Sequence, residues 1–333
     1  MHAPYWRRTN PSIRFAMVNN DASAAADLDG LAEKIVAAIN AIFGVHPGYR
    51  ATHAKGVVYE GTFTPSKEAA AFSRAAHFQA PVPITVRFSA NTGVPNIPDA
   101  DPNASPQGMA VRFHVPGGGE TDIVAHSFNG FPAGNGEDFL AFLQAIAQSG
   151  ASTEKPSPIE KFLGSHPAAA HFVLTPKPLS THCGSDSYFG VNAFRFVNAA
   201  GQSAHARLQL HPVAGVQYIP DAELGSLTPN HRFEALDAVL AQGPCEYRLI
   251  AEVANPDDPI NDASVTWPAD RPKLTLGTLS IARKVADSDG VQRRLIFDPT
   301  HLIDGIELSS DPLPALRSAA YAVSYRQRDP NKG

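Results

Sequence analysis

Three short stretches carry side chains whose types and spacing permit chemistry. In RATHAKG, Arg50, Thr52, His53 and Lys55 bring a guanidinium and an imidazole together where a helical segment gives way to a strand. Imidazole titrates near neutrality, so it can take a proton and return it. A half-buried histidine bonded to a backbone group looks the same in sequence. In VRFSA, strand alternation places Val86, Phe88 and Ala90 on one face and Arg87 with Ser89 on the other. An inward arginine calls for an anion, and a serine beside an imidazole can fix its tautomer by accepting from one ring nitrogen. The solvent face of a half-buried strand gives the same pattern. In DPLPALRSAAYAVSYRQR, Arg317 and Tyr321 stand four residues apart, one turn along one helix face. A phenol with an ordinary pKa of about 10 is a poor metal ligand unless a fixed cation favours its anion, which the arginine supplies. Surface helices also carry this pair without such a duty.

A scaffold must bring these stretches together. Residues 27–43 place Leu31, Ile35, Ala38, Ile39 and Ile42 at helical spacing, which predicts an amphipathic helix. From Thr52 onward the period shortens. KGVVYEGTF, PITVRFSA, GMAVRFHV and TDIVAHSF are bounded by Pro, Gly or Asn and predict strands, as do YFGVNAFRFVNA, HARLQLHPV, CEYRLIAEVA and KLTLGTLSIARKV. EDFLAFLQAIAQSG, HRFEALDAVLAQG and the C-terminal stretch predict helices. So many strands with few helices between them favour an antiparallel sheet that closes on itself, because closure removes exposed edges. The expected fold is α+β, a closed antiparallel barrel of about eight strands with peripheral helices and a C-terminal helix. We expect one domain over residues 15–330.

Composition excludes several classes. A hydrophobic share of 43% in 333 residues can form a large core, and the scattered 29 prolines and 25 glycines indicate turns rather than a disordered tract. Net charge is −5 with no block of like charges, which gives no electrostatic reason for nucleic acid or a membrane surface as partner. Cys183 and Cys245 form no CxxC pair, which argues against structural zinc or a disulfide scaffold and fits a reducing compartment. Met1 to Arg8 leads into no apolar signal core, and no stretch is long enough to span a bilayer. The expectation is a soluble, cytoplasmic protein acting on small molecules, a monomer or small homo-oligomer. No glycine-rich dinucleotide fingerprint follows a strand.

Taken together and in order, these motifs resemble the haem catalase family from about residue 45 to 328. RATHAKG, VRFSA, DIVAHSFNGF, YFGVNAFRFVNAAG and LTLGTLSIAR carry the resemblance, and DGIELSSDPLPALRSAAYAVSYRQR is its most specific part. The resemblance implies heme b, with Tyr321 as iron ligand and Arg317 as its partner; tyrosine ligation is known for catalase itself. It implies His53 as the distal base and Ser89 as the serine that holds its ring. Arg50, Arg87 and Arg328 match the arginines that pair with the haem propionates, for which a guanidinium fork is suited. Phe139 and Phe142 match aromatic residues beside the haem and its access channel.

Departures from the family pattern shape the expected activity. The distal asparagine of catalases aligns with His126, and Asn129 lies three positions later, so either is a candidate for its place. Thr52 stands where catalases have valine and is similar to the threonine of the allene oxide synthase branch, whose hydroxyl is expected to bond the distal imidazole and tie up the base. Tyr325 and Asn192 stand where the family has histidines. The family's long N-terminal arm and additional C-terminal helices have no counterpart here, which resembles the minimal catalase-related peroxidase branch. The expected function is a haem-dependent peroxidase that reduces hydrogen peroxide or organic hydroperoxides, oxidises an organic electron donor and retains weak catalase activity. The alternatives are an allene-oxide-synthase-like hydroperoxide isomerase and a haem-binding barrel without catalysis.

Overall fold

A computed structural model describes residues 21–328; the expected domain limits at 15 and 330 lie outside them. The strands are β1 (Gly56–Pro65), β2 (Val82–Ser89), β3 (Gly108–Val115), β4 (Gly119–His126), β5 (Tyr188–Phe189), β6 (Phe194–Val197), β7 (Ser203–Pro212), β8 (Cys245–Val253), β9 (Lys273–Lys284) and β10 (Ile306–Leu308). The α-helices are α1 (Asp21–Phe43), α2 (Lys67–Phe72), α3 (Gly136–Ser149), α4 (Pro158–Ser165), α5 (Pro167–Leu174), α6 (His231–Leu240), α7 (Ser288–Arg294) and α8 (Leu313–Arg328).

All strand pairings are antiparallel, and the order β7-β5-β4-β3-β2-β1-β9-β8 returns to β7 through a β7–β8 pairing. The ring therefore closes on eight strands, with β6 and β10 hanging from β7 outside it. Its inward faces read directly from alternation. Ile84, Val86 and Phe88 of β2, Met109, Val111 and Phe113 of β3 and Ile123 and Ala125 of β4 join one buried cluster. Phe88 has no exposed surface, and removing its ring would cost about 3–5 kcal/mol through lost burial and the cavity left behind.

Across from the outward faces of β2, β3 and β4 stands a layer of helices. Ile35 and Ile39 of α1, Phe142 and Leu143 of α3 and Leu316 and Val323 of α8 form a second buried cluster. Asn135 starts α3 by accepting from the Asp138 amide at 2.8 Å, with Glu137 and Asp138 in the first turn where the helix dipole favours anions. A Cβ on Gly136 would stand 2.4 Å from Leu316 Cδ2, so glycine there lets α3 approach α8.

Two expectations need correction. YFGVNAFRFVNA is two strands, because the chain leaves the sheet at Gly190, whose amide bonds Leu208 O, and re-pairs at Phe194. The helix expected over 27–43 begins at Asp21. Among the described residues, no helix is long and apolar enough to cross a membrane.

Candidate active site

A cavity of about 710 Å3 lies between the barrel's outer face and the helical layer, and most of the chemically suggestive side chains line it. One register row explains part of this convergence. Gly56 of β1 pairs with Ser89 of β2, Ser89 with Gly108 of β3, and Gly108 with His126 of β4. Cross-strand partners share a sheet face, so Ser89 and His126 both point outward with a glycine between them. That glycine is a spatial requirement. A Cβ on Gly108 would stand 2.6 Å from Ser89 Oγ and 2.8 Å from His53 Nδ1.

His53 sits at φ 54, the left-handed region that side-chain-bearing residues seldom adopt. Such strain costs on the order of 1–3 kcal/mol and persists where neighbours hold it. Arg87 does this holding: its Nη2 donates to His53 O at 2.9 Å and its Nε to Gln292 Oε1 at 3.1 Å. His53 Nδ1 lies 3.0 Å from Ser89 Oγ. With Nδ1–H donated to the serine, Nε2 keeps its lone pair and can act as a base. Burial first, then the charge of Arg87, pushes the His53 pKa down to about 3, so the ring is neutral at ordinary pH.

Thr52 also lines the cavity, but its hydroxyl donates to Asn91 O at 2.5 Å. The expected tether to the imidazole is thereby overturned, since the hydroxyl has one proton and the Asn91 carbonyl takes it. Of the two candidates for the second distal position, His126 lines the cavity and Asn129 does not. The Asn129 carbonyl instead accepts from Thr266 Oγ1 at 3.1 Å. His126 Nδ1 and Nε2 are buried without a hydrogen-bond partner. Burial, then Arg317 and Lys177, pushes its pKa down to about 3.

From the helical side, Arg317 Nε donates to Tyr321 Oη at 3.1 Å across one turn of α8. Arg317 Nη1 donates to Asn192 Oδ1 at 2.6 Å, and Asn192 Nδ2 to Asp311 Oδ2 at 2.8 Å. This chain orients the guanidinium that faces the phenol. Sequence reasoning missed Asp311, although its position just before the helix was a readable cap signal: Asp311 Oδ1 accepts from the Leu313 amide at 2.9 Å.

Arg50, Arg87 and Arg328 converge on one end of the cavity. Arg50 Nη2 donates to Gln292 O at 3.0 Å and Leu295 O at 2.8 Å, and Arg328 Nη2 to Leu295 O at 3.1 Å. Burial, then Arg87 and Arg328, holds Arg50 well below the usual guanidinium range. Burial, then Arg328, brings Arg87 down to about 9. Among the described residues, Arg50 and Arg87 make no ion pair. Phe139 and Phe142 complete the apolar wall, their rings 6.4 Å apart.

No group of three or more His, Cys, Asp or Glu among the described residues could hold a metal ion. The apolar walls, a phenol beside a guanidinium, and Arg50 and Arg87 without a carboxylate partner among the described residues fit a flat apolar group with acidic substituents and a metal that accepts a phenolate.

The family model described as Catalase matches residues 47–331. A "Catalase-related peroxidase" of Mycolicibacterium paratuberculosis is 31% identical over 300 residues, covering 89% of this chain and 94% of that protein. One of Synechococcus elongatus carrying the same name is 30% identical over 302 residues, covering 89% of this chain and 88% of that protein. A solved bacterial catalase superposes with a TM-score of 0.74 at 22% identity, covering 96% of this chain and 64% of that one, which is a likeness of fold.

Proposed function

The chain belongs to the catalase family, and from that premise we propose that it is a peroxide-reducing haem peroxidase using heme b. The observation that carries this reading is one cavity walled by His53 with Ser89 from the barrel side and Tyr321 with Arg317 from α8. The family implies a haem, and the donor set fits it. Tyr321 Oη is the atom that would hold the iron, and Arg50, Arg87 and Arg328 would pair with the propionates. Bound there, the haem supplies the redox chemistry that takes electrons through peroxide cleavage.

His53 Nε2 takes the proton from one peroxide oxygen and returns it to the departing one, so that it leaves as water or alcohol rather than as an anion. Ser89 keeps the ring in the tautomer this requires, and Arg87 keeps its backbone in place. Arg317 faces the Tyr321 hydroxyl as a donor, its own position set by Asn192 and Asp311. Oxidation of an organic donor completes the cycle, with weak oxygen release from hydrogen peroxide as a side reaction. Commitment of the Thr52 hydroxyl to Asn91 removes the observation that would have favoured a hydroperoxide isomerase.

The test is spectroscopic. The purified protein should show a Soret band and stoichiometric haem, and Tyr321→Phe should lose stable haem. A variant with unchanged spectrum and haem content would overturn the ligand assignment. Peroxide-dependent donor oxidation should exceed oxygen evolution, and His53→Ala should abolish both.

A further inference from the structure

One imidazole in the cavity has no part in the proton transfer that His53 performs. His126 is half-buried and lines the cavity, yet its two nitrogens are covered and both lack a partner. Buried polar atoms are nearly always paired, so two orphans on one ring call for an explanation. A half-turn about the Cβ–Cγ bond exchanges Nδ1 with Cδ2 and Nε2 with Cε1, which puts nitrogen on the opposite ring edge at little steric cost.

The surroundings of this ring are aromatic. Phe131 and Phe172 lie with their centroids 6.3 Å and 6.2 Å from it, and 6.5 Å from each other at 65°. Lys177 Nζ sits 5.2 Å from the Phe172 ring and bonds the Thr175 carbonyl at 3.0 Å, so this wall is held in place. All four residues line the cavity. A neutral imidazole set among aromatic edges suits a flat ring that carries a hydroxyl: the rings supply offset contacts and the free nitrogen accepts the O–H.

We infer that His126, Phe131 and Phe172 form the seat of a phenolic electron donor, and that His126 accepts the donor's proton as its electron leaves. The inference rests on the peroxidase reading and names the donor class for it. The O–H bond of each phenol breaks: its proton goes to a ring nitrogen of His126, and its electron would be taken up by the peroxide reduction that a haem held by Tyr321 would support. Two phenols and one hydrogen peroxide give two phenoxyl radicals and two waters, the protons passing from His126 into the water formed. A histidine kept neutral by burial and two nearby cations hands its proton on readily.

The experiment compares two donors on the haem-loaded enzyme: a phenol, and ferrocyanide, which gives up an electron and no proton. His126→Asn should lower kcat/KM for the phenol at least tenfold more than for ferrocyanide. Phenol binding to the resting enzyme, followed through the Soret band without turnover, should weaken severalfold. Phe172→Leu should raise KM for the phenol with kcat little changed, which keeps the idea testable if His126→Asn folds poorly. Equal loss with both donors, or unaltered phenol binding and turnover, would overturn the inference while leaving the peroxidase reading intact. No peroxide-dependent oxidation of either donor by the unmutated enzyme would overturn both.

Discussion

The fold buries guanidinium groups in two places and treats them oppositely. Arg232, 1% exposed, lies beside Asp186, with Nη2 3.8 Å from that carboxylate and 2.8 Å from Ser180 Oγ. Burial alone would lower its pKa, but Cys183, Tyr188 and Asp186 more than reverse this and raise it. Nearby, Lys55 is paired to Asp99 at 2.7 Å. Arg87 is 4% exposed and Arg50 half-buried, yet they face Arg328 instead of carboxylates, and their pKa values move down. The first cluster is neutralised from within the chain. On the proposed reading the second would take its anions from a bound group, and that would separate a structural charge from a binding one.

Deleting a member of each cluster should therefore have opposite signatures. Arg232→Met leaves Asp186 buried and uncompensated, and should lower unfolding free energy by about 3–5 kcal/mol in urea titrations. Arg50→Met removes two bonds to carbonyls but relieves repulsion, so the haem-free protein should lose less than about 1.5 kcal/mol. Its haem affinity should instead fall roughly ten- to hundredfold, as expected for one charged hydrogen bond. Similar stability losses in the two variants would erase the distinction.

The buried histidines extend the comparison to pH. His53 and His126 border the cavity, whereas His77 is 2% exposed and packs on Phe113 at 4.7 Å and Phe78 at 4.0 Å. Burial leads the causes that bring all three to about 3. A folded pKa below the unfolded value means that the unfolded chain binds protons first as pH falls. Their stabilisation is therefore complete above about 6.5 and drains away between there and about 3. His77→Phe should flatten the decline in stability by about 2 kcal/mol between pH 6.5 and 5 without altering haem retention. Loss of haem in that variant would show that the barrel interior and the cavity are not separable.

The sequence discloses what depends on local pattern. GMAVRFHV is β3 to the residue because one face of that strand lies in the barrel core and the other lines the cavity. Arg317 and Tyr321 need only the helical period to meet. The short helices α4 and α5 went unread, although Ser157 and Glu160 form a capping box that signals the first. What no local pattern carries is the row Gly56-Ser89-Gly108-His126, which exists only once register is set. The same holds for Asn192, whose partners lie 119 and 125 residues away.

Thr52 offers the smallest effect and the most pointed check. Its residue type suggested a hydroxyl bonded to the neighbouring imidazole, but its proton goes to Asn91 O, 39 residues away. It thus lies in the cavity wall like Arg50, yet it is satisfied from within the chain like Arg232. Thr52→Val should cost about 0.5–1.5 kcal/mol of stability through one lost hydrogen bond. Because His53 keeps Ser89 as its partner, the ratio of oxygen release to donor oxidation should stay within about twofold. A marked rise in oxygen release, read on an oxygen electrode, would return the hydroxyl to the imidazole. It would also show that a cavity-lining group can be bonded within the chain and still serve the chemistry.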